Sequence, residues 1–102
     1  MTNMTTFLGS LDRPSPPADL NRELRALWWA GKSEWSKAHD QVDSAAGRRA
    51  AWVHAYLHRW EGDIGNAGYW YRQAGRQVPD QSLDDEWQEI TRSLLRELAP
   101  QL

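Results

Sequence analysis

From residue 20 onward, apolar positions in this chain recur at intervals of three and four, and no stretch alternates with the two-residue period of a strand. The first stripe is Leu20, Leu24, Leu27 and Trp28. It predicts a helix opened by Asp19 as N-cap and closed near Gly31. Ser33 stands where a cap for a second helix is expected, and Trp35, Ala38 and Val42 share that helix's apolar face. After "DSAAGRR" a third helix is predicted through "AAWVHAYLHRWE", with Val53, Tyr56, Leu57 and Trp60 inward. Gly62 closes it and Asp63 caps a fourth. There Ile64, Ala67, Tyr71, Ala74 and Val78 form the most regular stripe of the chain, and Pro79 lies past its end. Ser82 and Asp85 make an approximate capping box for the last helix. Its face is Leu83, Trp87, Ile90, Leu94 and Leu98, with Pro100 beyond its end.

The pattern predicts an all-α fold of five helices. Very short connections join the first helix to the second and the third to the fourth, which forces antiparallel neighbours. The expected architecture is two antiparallel helical hairpins plus a C-terminal helix. Pro14, Pro16 and Pro17 disfavour helix at and before themselves. Residues 1–18 are therefore expected to form an irregular arm, and residues 19–102 a single helical domain.

In "EGDIGNAGYWYRQAGRQVP", Gly62, Ala67, Tyr71, Ala74 and Pro79 stand at spacings of five, four, three and five. This second hairpin resembles tetratricopeptide and Sel1-like repeats, in which small residues let two helices approach and an aromatic fills the gap between hairpins. His54 and His58 depart from the apolar and aromatic residues that family has in its first helix. "WWAGKSEWSKAHDQVDSA" is a weaker echo, with Trp29, Ala38, Val42 and Ala45 in compatible places. Ala38 and Ala67 lie closer together than the period of about 34 residues, so the resemblance implies repeat-like packing and no regular array. The longer stretch "AWVHAYLHRWEGDIGNAGYWYRQAGR" resembles the signature of a family of small bacterial helical proteins. That resemblance implies a helical fold, and it implies neither an activity nor site residues.

Composition narrows the function classes. Seven Trp in 102 residues supply much of a small core, since each buries about 150–250 Å². The absence of Cys excludes disulfides and thiolate metal sites. A net charge of −2, from 12 basic and 14 acidic residues, argues against nucleic acid as the main partner. No apolar run is long enough for a membrane helix. "MTNMTTFLGS" lacks the basic-then-apolar order of a secretory signal, so a cytoplasmic location is expected.

Two surfaces attract chemistry. His54, His58 and Glu61 stand at i, i+4 and i+7 on the third helix, and His39 on the preceding helix can meet them. Imidazoles in that arrangement suit zinc or another divalent metal. Ala55 occupies the place of the zincin glutamate, so the pattern is not that motif. The second surface is Gly65, Gly68, Tyr69, Arg72 and Arg76. Two glycines would leave a shallow floor beside Tyr and Arg, residue types enriched where partners bind. Arg48, Arg49 and Arg59 add positive charge. Joined to Arg72 and Arg76, they would suit an anionic ligand or acidic peptide.

Phosphate-loop and nucleophile-elbow patterns are missing, and no spacing singles out an acid and a base for a paired-carboxylate hydrolase. The leading expectation is a non-catalytic interaction module that takes a protein or peptide partner through Gly65, Gly68, Tyr69, Arg72 and Arg76. The alternative is a metal-binding protein or metal-dependent enzyme using His39, His54, His58 and Glu61. A third is a structural subunit that self-associates through exposed Trp.

Overall fold

A computed structural model describes residues 2–98 of the chain, and these form six helices and no strand. They are α1 (Met4–Ser10), α2 (Arg22–Gly31), α3 (Trp35–Val42), α4 (Arg48–Glu61), α5 (Ile64–Gln73) and α6 (Leu83–Leu98). The expected places of the Leu98 side chain and of Pro100 lie outside the described residues. α2 and α3 make one hairpin and α4 and α5 the other, with α6 packed across α4 and α2.

α4 is the centre of the molecule. Every residue from Ala50 to His58 is buried, as expected for a helix covered on all sides. α3, α5, α6 and α2 all pack on it, and Ala38, Ala51, Ala55 and Ala67 keep the helices close. Gly62 takes a left-handed φ of +91° at the end of α4. Its N–H donates to Arg59 O and that of Asp63 to His58 O, so the last carbonyls are satisfied. Asp63 then accepts from Asn66 N and opens α5, as the sequence predicts.

The arm departs from expectation. Its Pro-rich part, after residue 10, is indeed without helix, but Met4–Ser10 forms α1, capped by Asn3 accepting from Thr6 N at 2.8 Å. Phe7 is fully buried near Trp87, and Ser10 Oγ accepts from Trp28 Nε1 at 3.0 Å. So short a helix has no stability of its own and exists through such packing. Lys32 Nζ donates to Leu11 O and Arg13 O and fastens the following segment.

Three cap and stripe expectations need correction. Asn21, not Asp19, caps α2, while Asp19 accepts from Thr2 instead. Ser33 sits at φ +62° and leaves the N-cap position of α3 to Glu34. Ile64, the first residue of α5, is 56% exposed, and Val78 is 47% exposed because α5 ends at Gln73 and Gly75 turns the chain at φ +73°. Ala67, Tyr71 and Ala74 are buried as expected. Trp28, expected in the first apolar stripe, is fully buried, and Trp29, which the repeat resemblance places inward, packs edge-on against it. None of the seven Trp is fully exposed; Trp29, Trp35, Trp60 and Trp70 are partly buried.

α2 and α6 touch at one point where no side chain fits. A Cβ at Gly31 would lie 2.9 Å from Trp87 Cζ2, in a ring fixed by its own N–H to Leu27 O at 2.8 Å. Helix propensity alone favours alanine there by roughly 0.5–1 kcal/mol. Overpacking outweighs it, so Gly31→Ala is expected to lower stability by about 1–3 kcal/mol in urea denaturation. A raised midpoint would show that Trp87 yields without cost.

Candidate metal centre

Packing of the first hairpin against the second turns three imidazoles toward one another. His39 comes from α3, and His54 and His58 stand one turn apart on α4, facing it. One ring nitrogen from each lies within 4.8 Å of the other two. His39 Nε2 and His54 Nε2 are 3.0 Å apart. A tetrahedral ion with Zn–N bonds of about 2.0–2.1 Å separates neighbouring nitrogens by roughly 3.3 Å, so this pair needs only a small ring shift.

Aromatic walls hold these rings in place. Trp35 stacks on His39 with centroids 4.8 Å apart, and Trp70 stacks on His54 at 4.1 Å. Trp35 is itself fixed by its N–H donating to Leu57 O at 2.7 Å. His54 and His58 are 3% and 7% exposed, whereas His39 is partly open to solvent. Asp43 stands at that open side, its Oδ1 3.9 Å from His39 Nε2.

Glu61 plays a different part from that of a third-helix ligand. Its Oε2 lies 2.6 Å from His58 Nδ1. A neutral His58 that donates from Nδ1 keeps its lone pair on Nε2, the carboxylate–histidine pairing that orients metal ligands. His58, Glu61 and Asp63 also gather their donor atoms within 4.8 Å, but on a more exposed rim.

The electrostatics favour a neutral His54. The His54 pKa is lowered to about 4, first by burial and then by the neighbouring His39 and His58, with Asp43 opposing. At neutral pH this imidazole therefore carries no charge, and it hydrogen-bonds His39 through the edge a cation would use.

The five residues of the expected docking surface divide. Gly65 opens to empty space, a Cβ at Gly68 would lie 3.6 Å from Arg72 Nη1, and Tyr69 is exposed on α5 with its ring edge-on to Trp70. Arg76 lies beyond α5, with its guanidinium 3.3 Å over the ring of Trp52, and lines a cleft in which the other four take no part. Arg59 also leaves the expected arginine face, for it turns inward to Glu86 at 2.9 Å. Trp35 and Trp70 were not anticipated as walls of the histidine cluster. Trp35 precedes His39 by four residues, a spacing at which helical side chains meet, so half of that signal stood in the sequence. No protein-family model, curated protein or solved structure matches the chain.

Proposed function

We propose that this chain binds a divalent transition metal through His39, His54 and His58, with one coordination position left toward solvent beside Asp43. The observation that carries the reading is the convergence of three imidazole nitrogens from two helices within 4.8 Å. An all-nitrogen donor set suits zinc, copper or nickel and is poor for magnesium and calcium, which prefer oxygen. Three protein ligands with a fourth place open is the pattern of zinc sites that bind a water or substrate. An ion held there would polarise such a water, and Asp43 is placed to accept its proton or to complete the coordination. The reading stands ahead of peptide docking because its histidines meet, whereas Tyr69 and Arg76 serve different surfaces.

Titration of chelator-treated protein with zinc or cobalt, followed by calorimetry and tryptophan fluorescence, tests it. One equivalent is expected to bind, with a fluorescence change because Trp35 and Trp70 stack on two of the ligands. His54→Gln and His58→Gln should each abolish tight binding. Glu61→Gln should weaken it by roughly 10–100-fold, the usual effect of losing a ligand's hydrogen-bond partner. Wild-type protein that takes up none of zinc, cobalt or copper overturns the reading.

A further inference from the structure

A cleft of about 750 Å³ opens between the first turn of α4, the turn after α5 and the C-terminal half of α6. Arg48, Arg49, Arg76 and Arg96 line it against one carboxylate, Glu97. Glu97 is already paired with Arg49, Nε to Oε2 at 2.6 Å. Among the described residues, Arg48, Arg76 and Arg96 take part in no ion pair. The chain as a whole carries a net charge of −2, so this positive field is local to the cleft.

Three further features prepare it for an anion. The Arg76 guanidinium is stacked 3.3 Å over Trp52, whose indole N–H is in turn held by the buried Glu86, so the cation is positioned before any ligand arrives. Gly75, at φ +73°, keeps the wall bare where a Cβ would come within 3.8 Å of Arg48. α4 begins at Gly47 with no side-chain cap and no acidic residue in its first turn, so the positive end of a 14-residue helix faces this region unneutralised. The volume lies within the range of about 300–1,000 Å³ typical of small-molecule sites.

Guanidinium groups pair with phosphoryl oxygens in a bidentate fashion, and several arranged around one concavity suit several such oxygens. We propose that this cleft binds a small soluble polyanion of the phosphate-ester class carrying two or more phosphoryl groups, with Arg48, Arg76 and Arg96 as its ligands. The site is separate from the histidine cluster. Trp52 and His54 are two residues apart on α4, about 200° around the helix axis.

Inorganic pyrophosphate titrated calorimetrically into chelator-treated protein at low ionic strength is the test. One saturable site is expected, tighter than for inorganic phosphate. Arg76→Gln and Arg96→Gln should each weaken it at least roughly tenfold, the worth of one charge-assisted hydrogen bond. Arg13→Gln, exposed and outside the cleft, should leave it unchanged. Two separate substitutions keep the test decisive if either variant fails to fold by circular dichroism. Absence of saturable binding at millimolar pyrophosphate overturns the proposal, as does equal affinity in the folded variants and wild type. Tighter binding to vesicles of anionic phospholipid than to pyrophosphate, lost in the same variants, would overturn it in favour of a lipid headgroup.

Discussion

Glu86→Ala is expected to remove about 3–5 kcal/mol of folding stability, the scale for stripping one partner from a buried ion pair. Glu86 is 1% exposed, and its carboxylate is the meeting point of three helices. It accepts from Arg59 Nη1 at 2.9 Å, from the Tyr71 hydroxyl at 2.7 Å and from Trp52 Nε1 at 3.3 Å. One side chain of α6 thereby holds two of α4 and one of α5. Its charge is felt nearby. Burial and then Glu86 push the Tyr71 hydroxyl well above its ordinary range, and burial with the same carboxylate raises Tyr56 to about 12. Tyr71 is therefore a fixed donor. Alanine would leave a guanidinium half-buried without a counter-ion, and a hydroxyl and an indole N–H without an acceptor. Against a total of about 5–15 kcal/mol for such a domain, the variant should show a urea midpoint far below wild type. Glu86→Gln should cost less, since its amide oxygen still accepts. A loss below about 1 kcal/mol for the alanine would mean that apolar packing alone holds α6 in place.

That network was the least legible part of the molecule, and the reason is physical. A glutamate in the acidic first turn of a helix looks like a partner for the helix dipole, and nothing local distinguishes Glu86 from the exposed Asp84 and Asp85. Its role comes from residues 52, 59 and 71, which approach only once α4, α5 and α6 pack. One-sided helices were legible because burying one face imposes a period: Leu24, Leu27 and Trp28, and likewise Trp87, Ile90 and Leu94, are buried as read. Period does not report where a helix stops, so Ile64 and Val78 were extrapolated past the part of α5 that α4 covers. Gly75 carried that stop signal and Gly62 the equivalent one. α1 escaped because seven residues hold too few turns to display a period.

The candidate centre was half legible for the same reason. The i, i+4 spacing of His54 and His58 is a local property of one helix, and His39 followed from its place on the helix just before it in the chain. The stacking of Trp70 on His54 depends on how α5 turns against α4, which no spacing within either helix reveals.

His54 is expected to govern both the acid sensitivity of the metal-free protein and its response to zinc. Its pKa of about 4 in the fold compares with 6.5 for an unperturbed imidazole. Between those values the unfolded chain binds a proton that the folded chain refuses, so stability falls as pH drops from about 6.5 to about 4 and is unaffected by this group above that window. At about 1.4 kcal/mol for each pH unit the loss is on the order of 3 kcal/mol. Burial lowers the His54 pKa most, and His39, His58 and Asp43, which face the same ring, adjust it further. Zinc competes for the same lone pairs and binds the folded state, adding about 4 kcal/mol at a thousandfold excess over Kd. Its increment should be large at pH 7.5 and nearly absent at about pH 3.5, below the His54 pKa, where a proton occupies that lone pair. Urea denaturation at both pH values, with chelator and with zinc, measures all four quantities. In His54→Gln the acid slope and the zinc increment should disappear together. A zinc increment that survives the substitution would place the ion at His58, Glu61 and Asp63, the other group of donors within reach of one cation. An acid slope that survives would move the burial penalty to a different residue and leave the metal reading to stand on geometry alone.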